Sequence, residues 1–467
     1  MGRTYHYRRR VPVDVTSVLG HREIWRSLDT DSYAVAVRRL HLTAMAVEAA
    51  FEQARQSLGQ TVDSKLLVTL DAPSPQGLAP IVLTATCSHA AEIAPQAAAQ
   101  PFERAFGDVY DQFLADPKHT WSKRTAIAHQ TTRRWVMEVF GAQTPITEIT
   151  RDGCRHFVDL LRRMPTHANK RFPEMTVQEA VAAAKKRGET RCIGVANLNA
   201  YLNRFGAVLN WATDEGYIQR NPARGLKLPD PVKKRDKRRP FSPDQLTRIF
   251  NAPIFTGCRD DEHHYAKVGD QHPRRARFWI PLIALYSGLR LNEICQLEVT
   301  DVEVIDGVPC FRVSAGESTS GEQKRVKTAA SERIVPVHDE LAGFGFLAFA
   351  ESQRLRGEAN LFPELTLGHL GYRSTAFSQW FTRFLMSAKA TAPLTCFHSF
   401  RHCFRDALRE AKVGRDLALI LGGWTTEGNG SAISDVYGSG YRAPVLAEAL
   451  NLVRYPFLDL RHLSALR

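Results

Sequence analysis

Residues 392–405 constrain the fold of this chain more than any other stretch. They read Ala-Pro-Leu-Thr-Cys-Phe-His-Ser-Phe-Arg-His-Cys-Phe-Arg. Pro393 ends any earlier helix, and apolar side chains then recur at the i, i+3, i+7 spacing of a helix that packs one face into a core. That stripe consists of Phe397, Phe400 and Phe404. His398 and Arg401 stand three residues apart, so the helix carries them on one face.

The pairing of His398 with Arg401 has two interpretations. A guanidinium donates a fixed pair of hydrogen bonds to a phosphate, and an imidazole gains or loses a proton near neutral pH. Together they suit a phosphate whose charge changes during a reaction. A packed helix with a solvated basic edge has the same His-x-x-Arg pattern, so the motif alone does not decide between them.

Two further stretches agree with the first in order and separation. Upstream, residues 280–299 are an apolar stretch interrupted by Arg290, and downstream, residues 421–441 begin Leu-Gly-Gly-Trp and contain Tyr437. The order Arg, His-x-x-Arg, Leu-Gly-x, Tyr resembles the tyrosine recombinase (phage integrase) family. The resemblance covers roughly residues 239–450.

The resemblance implies a fold and a division into domains. It implies a mostly α protein with a small antiparallel β-sheet (an α+β fold), in which a helical core-binding domain and a short N-terminal unit precede the catalytic domain. The expected segments are a basic strand plus helix unit (1–60), a linker region (61–101), a helical core DNA-binding domain (102–228), a basic linker (229–240), a catalytic domain (241–450) and a C-terminal tail (451–467). The sequence leaves open whether the tail docks on a neighbouring protomer or folds back on its own domain.

Apolar periodicity predicts the elements inside these segments. The predicted helices of the core-binding domain span 102–114, 122–140, 150–163 and 195–215, and strands are predicted within 302–313 and at 333–337. A further helix is predicted to start with Ser242 as its N-cap, Pro243 at its first position and Gln245 closing a capping box.

The net charge favours a partner of opposite charge, and the cysteine pattern favours a reducing compartment. Among 467 residues, 62 lysines and arginines exceed 49 acidic residues, which gives a net charge of +13. The excess favours nucleic acid, although an anionic membrane surface would use the same charge. The sequence has no signal peptide and no apolar run of about 18 residues, and its cysteines form no Cys-x-x-Cys pair, so we expect a reducing cytoplasmic location, associated with the nucleoid. The His- and Asp-containing insertion 256–277 reads as a solvated loop, and we expect neither a metal nor a cofactor.

Three basic stretches are candidate contacts to a DNA backbone. Residues 3–12 alternate aromatic and basic residues, which is typical either of a strand that holds bases and phosphates or of an edge strand with a solvated face. The helix over 122–140 carries basic residues that suit either a DNA clamp or a solvated bundle surface. Residues 226–240 form a proline-bounded connector, expected to run extended across a DNA backbone. The candidates are Arg8, Arg9 and Arg10; Lys123, Arg124, Arg133 and Arg134; and Lys233, Lys234, Arg235, Lys237, Arg238 and Arg239.

The resemblance also implies roles for single residues. Tyr437 would attack the scissile phosphodiester and form a 3′-phosphotyrosyl bond, while Arg290 and Arg401 would hold the nonbridging oxygens. Lys327 would protonate the leaving 5′ oxygen, and His398 would hydrogen-bond the phosphate or assist proton transfer.

The chain departs from the family pattern in one place, and alternatives stay open. Where the family usually has His or Trp after Leu-Gly, this chain has Gly423, with Trp424 one place later. Trp424 would either donate its indole N–H to the phosphate or serve as a core residue. Tyr441 is an alternative to Tyr437 as the nucleophile, and Lys324 is an alternative general acid.

The function that the resemblance implies is site-specific recombination that integrates or excises a mobile element. Four protomers would act on two double-stranded DNA sites, with accessory DNA-bending proteins as further candidate partners. Two other functions share the scaffold. One is a DNA-binding protein that has lost cleavage, and the other is a type IB topoisomerase-like enzyme that relaxes DNA without a partner site.

Overall fold

The computed structural model describes residues 5–30, 33–58, 104–318, 321, 323–326, 331–424 and 440–464. The chain divides into two compact units, residues 1–96 and 97–467. None of the helices in the described ranges is both long enough and apolar enough to cross a membrane.

The first unit is a hairpin of two antiparallel strands with helices. The strand register pairs Arg8 with Trp25, so both side chains lie on one face of the hairpin. The small apolar core contains Val15 and Phe51, which are fully buried. The elements are β1 (His6–Arg10), α1 (Thr16–Leu19), β2 (Glu23–Ser27) and α2 (Tyr33–Leu58).

The second unit begins with a helical bundle whose core is largely aromatic. Trp135, Phe157 and Phe205 are fully buried in it. The helices are α3 (Phe106–Ala115), α4 (Lys123–Phe140), α5 (Arg151–Arg163), α6 (Ala168–Arg171), α7 (Val177–Lys186) and α8 (Val195–Asp214). The structure confirms the helices predicted over 122–140, 150–163 and 195–215. It adds α7, which apolar periodicity did not predict because its buried positions are mainly alanines.

A separate apolar core unites the remaining helices and strands. The helices are α9 (Pro243–Phe250), α10 (Pro253–Thr256), α11 (Ala276–Ser287), α12 (Leu291–Cys295), α13 (Asp339–Gly343), α14 (Phe346–Leu355), α15 (Ser374–Ser387), α16 (Ser399–Glu410), α17 (Arg415–Gly422) and α18 (Ala443–Leu450). The strands are β3 (Val302–Ile305), β4 (Val308–Val313), β5 (Gly316–Glu317), β6 (Gln323–Lys324) and β7 (Arg333–Pro336). They form an antiparallel sheet in the order β3-β4-β7 and a short β5-β6 pair. The predicted mostly α fold with a small antiparallel sheet is therefore confirmed.

The start of α9 follows the predicted capping chemistry. The Ser242 hydroxyl accepts a hydrogen bond from the backbone N–H of Gln245 (3.2 Å), and the Gln245 side chain accepts one from the N–H of Ser242 (3.1 Å). Pro243 occupies the first helical position, where its missing N–H costs nothing.

A close approach of two helices sets the geometry around the first motif. Gly288 ends α11 with φ of 62°, and a Cβ there would come within 2.2 Å of the Phe404 ring on α16. Only glycine tolerates both the left-handed backbone and this contact. The end of α11 is therefore held directly against α16, which carries Arg401.

The basic connector is not extended throughout, so that prediction is wrong in part. Its prolines flank the segment, and Lys234–Lys237 between them form a 3-10 turn. The Lys237 ammonium pairs with the Asp230 carboxylate (2.5 Å), which closes the turn. The backbone N–H of Arg239 then donates to the Leu394 carbonyl (3.1 Å), so the end of the connector lies beside the loop that precedes α16.

The C-terminal tail folds back on its own core. Val453, Tyr455 and Leu463 are buried in the same apolar cluster as α11 and α16. The Tyr455 hydroxyl donates to the Leu285 carbonyl (2.9 Å), and His462 Nε2 lies 2.9 Å from the Phe250 carbonyl oxygen. Of the two alternatives for the tail, the structure has the intramolecular one.

Candidate active site

Arg290 stands at the junction between α11 and α12. The Glu293 carboxylate accepts a hydrogen bond from the backbone N–H of Arg290 (2.9 Å) and another from its guanidinium. Arg290 Nη1 also donates to the Ser331 hydroxyl (3.1 Å). Glu293 therefore orients the Arg290 side chain from the first turn of α12.

The Glu293 carboxylate is shared with a second, buried arginine. Arg333 on β7 donates from Nη2 to Glu293 (3.1 Å), and the two side chains are only 4% and 2% exposed. Burial favours the neutral acid, but the charge of Arg333 and the hydrogen bonds from Arg290 outweigh it and lower the pKa of Glu293. The carboxylate therefore stays ionised. The role of Arg333 has no signal in the neighbouring sequence, because Glu293 lies 40 residues away in the chain.

Arg401 and Arg290 converge on one backbone oxygen. Arg401 Nη1 donates to the Gly288 carbonyl (2.6 Å) and its Nη2 to the Gly423 carbonyl (3.4 Å). Arg290 Nη2 donates to the same Gly423 oxygen (3.1 Å). The structure thus brings together two predicted site residues from different helices.

The arginine cluster carries more positive charge than its carboxylates neutralise. Burial, followed by the charges of Arg290 and Arg333, lowers the pKa of Arg401 to about 9. Glu293 is the acidic group that opposes this effect. Buried cations without enough counter-charge favour binding of an anion.

His398 immediately precedes α16 and is mostly buried. Burial, with the charges of Arg238 and Arg401, lowers its pKa to about 4. The imidazole is therefore neutral at pH 7. In that form it offers one donor nitrogen and one acceptor nitrogen.

Trp424 lies against the same arginines. The Arg401 guanidinium carbon is 4.6 Å from the indole centroid and that of Arg405 is 4.5 Å from it. The Phe404 ring stacks nearby, with centroids 6.3 Å apart. Gly422 allows this position, because a Cβ there would overlap the indole. Trp424 thus lies beside these arginines and packs against the core. Its donation of the indole N–H to a phosphate stays a prediction.

A cleft of about 350 Å³ opens beside these groups. Seven residues line the cleft: His398, Arg401, His402, Arg405, Arg415, Leu419 and Trp424. Five of the seven are histidines or arginines. The chemistry of the cleft therefore suits a phosphate-bearing ligand.

Of the two candidate lysines, Lys324 is committed to an ion pair. Its ammonium lies 2.8 Å from Asp301 and 3.0 Å from Glu298, and its side chain is 10% exposed. Burial lowers its pKa, but the hydrogen bonds and attraction of the two carboxylates more than offset this, so the pKa of Lys324 is raised. Lys327 lies outside the described residues.

The tyrosines near the C-terminal end of the chain differ in exposure. Tyr441 is 43% exposed and directly precedes the N-cap residue of α18. The Tyr455 phenol is buried and hydrogen-bonded to Leu285. Burial raises the pKa of Tyr455 well above its ordinary value, which makes it a poor nucleophile. Tyr437 lies outside the described residues.

The chain is similar to a family model and to one protein of known function, each over part of its length. A family model described as a domain of unknown function, DUF6538, matches residues 1–56. Adenylosuccinate synthetase of Nitrosospira multiformis is 30% identical over 113 residues, which span 21% of this chain and 26% of that relative. The chain thus spans about a quarter of the length of that relative.

The solved structures that the chain is similar to include integrases. One is the Tn1549 transposon integrase in complex with a circular intermediate DNA, with 16% identity and a TM-score of 0.45 over 71% of this chain and 98% of that chain. Another is a lambda integrase dimer bound to a core site, with 14% identity and a TM-score of 0.44 over 72% and 95% of the two chains. A lambda integrase tetramer bound to a Holliday junction has 14% identity and a TM-score of 0.42 over 70% and 78%.

The candidate DNA-contact residues of the hairpin and bundle fall into two groups. Four arginines are held by acidic partners: Arg8 by Glu23, Arg9 by Glu48, Arg133 by Asp111 and Arg134 by Glu138. Arg10, Lys123 and Arg124 are exposed and make no ion pair within the described parts of the chain. The second group is the one freer to meet a phosphate.

The candidate DNA-contact residues of the connector also fall into paired and exposed groups. Lys237 pairs with Asp230, whereas Lys233, Arg238 and Arg239 are exposed, and Lys234 and Arg235 lie within the 3-10 turn. Arg238 is close enough to lower the pKa of both His398 and His402. The connector therefore adds positive charge directly beside the arginine cluster.

Proposed function

We propose that this protein is a tyrosine-type site-specific DNA recombinase. The observation that carries the proposal is the convergence of Arg290 and Arg401 on the Gly423 carbonyl, beside His398 and a basic cleft. Two guanidiniums that can reach one oxygen atom can also hold the two nonbridging oxygens of one phosphate. The motif resemblance supplies the rest of the proposed mechanism.

The proposed first step breaks one DNA strand without loss of bond energy. The Tyr437 oxygen attacks phosphorus, a 3′-phosphotyrosyl bond forms and the bond to the 5′ oxygen breaks. Arg290 and Arg401 stabilise the charge that builds on the nonbridging oxygens, where their positions are already fixed by Glu293 and Gly288. Resealing reverses these bond changes with a 5′ hydroxyl from another strand.

Proton transfer is assigned to Lys327 and His398. The leaving 5′ oxygen needs a proton, and Lys327 is proposed to give it. Lys324 is the weaker candidate, because its ammonium is already bound to Asp301 and Glu298. His398, neutral at pH 7, would accept the phenol proton or donate a hydrogen bond to the phosphate.

Further parts of the proposal concern partners. We infer that the DNA is a double-stranded recombination site of a mobile element and that four protomers act on two such sites. Arg10, Lys123, Arg124 and the connector arginines are the proposed backbone contacts outside the catalytic domain. The proposed domain boundaries are those expected from sequence, with the connector at 229–240 joining the bundle to the catalytic domain.

A nicked suicide DNA substrate tests the proposal. The substrate spans the terminal repeats that flank the coding region, and the nick lets the cleaved end diffuse away so that a covalent adduct accumulates. We expect an adduct on a denaturing gel with the unmodified protein and with Tyr441→Phe, and none with Tyr437→Phe. Arg290→Gln and Arg401→Gln should each reduce its rate of formation by at least about a hundredfold, the typical effect of removing one donor to a developing charge.

Other outcomes identify other functions. Tight binding of the terminal repeats with no adduct for any variant would support a DNA-binding protein on this scaffold. An adduct that survives Tyr437→Phe and disappears with Tyr441→Phe would transfer the nucleophile to Tyr441. Relaxation of plasmids that lack the repeats would support a topoisomerase-like enzyme.

A further inference from the structure

The basic cleft continues past the two arginines assigned to the scissile phosphate. Arg405 follows Arg401 by one turn of α16, and Arg415, the first residue of α17, also lines the cleft. Neither residue has a role in the mechanism described above. The extent of the lining therefore exceeds what one phosphate requires.

Arg405 is a cation without a counter-ion in the described structure. Its Nη1 is shielded from solvent and has no hydrogen-bond partner. The nearest acidic residue on its own helix, Asp406, already pairs with Arg409 (3.0 Å). Burial, and then the charges of Arg409 and Arg415, lower the pKa of Arg405, so its surroundings are electropositive. A shielded N–H group without an acceptor is costly unless a ligand supplies the missing acceptor.

Trp424 fixes where the Arg405 guanidinium lies. The guanidinium carbon is 4.5 Å from the indole centroid, which is a cation–π contact. The same indole contacts Arg401. Trp424 therefore couples the position of Arg405 to that of an arginine proposed to hold the scissile phosphate.

The spacing of Arg401 and Arg405 matches a single DNA strand. Residues one helical turn apart have Cβ atoms about 5–6 Å apart. A DNA strand advances about 3.4 Å per nucleotide along the helix axis. Two long side chains at this separation can therefore reach phosphates that are one or two nucleotides apart.

We propose that Arg405 and Arg415 form a second phosphate subsite, which holds the backbone of the cleaved strand next to the scissile phosphate. The ligand class is the sugar–phosphate backbone of DNA, and the inference rests on the proposed recombinase function. Arg405 and Arg415 are positioning residues: they fix the strand so that the scissile phosphate stays between Arg290 and Arg401. The indole of Trp424 would then separate the two subsites.

The salt dependence of DNA binding tests the subsite independently of cleavage. Binding of the nicked duplex is measured by fluorescence anisotropy at several salt concentrations, in the full chain carrying Tyr437→Phe so that no covalent complex accumulates. Loss of one phosphate contact reduces the slope of log K against log salt by about 0.9. We expect that reduction for Arg405→Gln and for Arg415→Gln.

Two variants separate a phosphate contact from a structural role. Arg409→Gln removes a charge from the same helix, but Arg409 is 67% exposed and paired with Asp406, so its slope should equal that of the parent. Arg405→Lys keeps the charge and should keep the slope. Equal slopes for Arg405→Gln and Arg409→Gln would overturn the proposal. If Arg405→Gln fails to fold, the slope for Arg415→Gln, at an exposed position, tests the same proposal.

Replacing single phosphates by neutral groups identifies the phosphate that Arg405 contacts. Methylphosphonates replace the phosphates beside the nick one at a time, in the strand that carries the scissile phosphate. At one position, the substitution should weaken binding by the parent and leave binding by Arg405→Gln unchanged. If every position weakens both proteins equally, Arg405 does not contact the strand. A covalent-adduct assay that fails while these slopes hold would reject the recombinase reaction but leave the subsite standing.

Discussion

At the scale of single residues, the buried Arg333–Glu293 pair is an interaction whose loss should strongly reduce stability. Both side chains are almost fully buried, and Arg333 also donates to the Leu421 carbonyl (3.1 Å) and the Ser331 carbonyl (2.7 Å). Removing one partner leaves the other charge buried without full compensation. Arg333→Met should therefore reduce the free energy of unfolding by about 3–5 kcal/mol, measured by urea denaturation.

A surface pair in the neighbouring strand is the control for Arg333. Arg312 on β4 pairs with Glu303, and the two side chains are 51% and 33% exposed. Arg312→Met should change the free energy of unfolding by less than about 1 kcal/mol. Equal losses for the two variants would mean that Arg333 acts through general charge rather than through its buried contacts.

The lowered pKa values of three histidines predict that the protein loses stability in mild acid. Burial is the main cause that lowers the pKa of His129, His338 and His398 to about 4, from an ordinary value near 6.5. Between about pH 6.5 and pH 4 the unfolded chain binds protons at these sites and the folded chain does not. The free energy of unfolding should thus fall as pH falls through this window and stay flat above it.

Urea denaturation of the parent protein and of His398→Asn at pH 7.5, 6 and 5 tests this prediction. Removing His398 should reduce the slope of stability against pH between pH 6 and 5 by the contribution of one proton. His263→Asn is the control, because His263 lies exposed in the loop between α10 and α11. A slope unaffected by His398→Asn would contradict the assigned burial of that imidazole.

At the scale of secondary-structure elements, the β5–β6 pair depends on Lys324. Its ammonium bridges Glu298 and Asp301, which both lie in the turn that precedes β3. Lys324→Met would leave two carboxylates buried together, so we expect a loss of about 3–5 kcal/mol in unfolding free energy. Lys327→Met should abolish the covalent adduct and leave stability close to that of the parent. Unfolding free energy and adduct formation, both measured on Lys324→Met and Lys327→Met, distinguish an anchoring lysine from a catalytic one. The assignment fails if Lys324→Met is stable but forms no adduct.

The elements themselves were largely predictable, because their signals are local. The capping box at Ser242, the N-caps at Ser122 and Thr150 and the long apolar periods of α4, α5 and α8 all lie within a few residues of the element that they define. Helix α7 had a local signal too, the Thr176–Glu179 capping box, but its alanine-rich face gives a weak apolar period. The partners of Arg333 and Lys324 were not predictable, since each pairs with an acidic group brought close only by the folded chain.

The candidate site shows the same division between local and distant information. The order of the motifs predicted that Arg290, His398 and Arg401 belong together, and Arg290 and Arg401 indeed share the Gly423 oxygen as an acceptor. The one-residue shift from Gly423 to Trp424 did not predict that the indole would lie against two arginines. That contact depends on the packing of α16 against the end of α17, which no spacing in the sequence reveals.

At the scale of the whole molecule, the C-terminal tail is part of the apolar core that also contains α11 and α16 in the described structure. Val453, Tyr455, Leu460 and Leu463 are buried within it, and Arg274 donates to the Leu463 carbonyl (2.9 Å). Each fully buried apolar side chain contributes about 1.5–3 kcal/mol. Truncation after Leu452 should therefore cost about 5 kcal/mol or more, enough to bring a domain of ordinary stability close to unfolding.

Truncation after Ser464 is the matched control, because it removes none of these contacts. It should leave the midpoint of urea denaturation unchanged, whereas truncation after Leu452 should lower it strongly in protein that is free of DNA. A tail that served a neighbouring protomer would give the opposite pattern: the shorter chain would keep its stability and lose only its assembly on DNA, measured by light scattering. The buried Tyr455 hydroxyl donates to Leu285 of α11, and the Val453 carbonyl lies 3.0 Å from Nε2 of His338, the N-cap of α13. Because these contacts are within one chain, we expect the loss of stability.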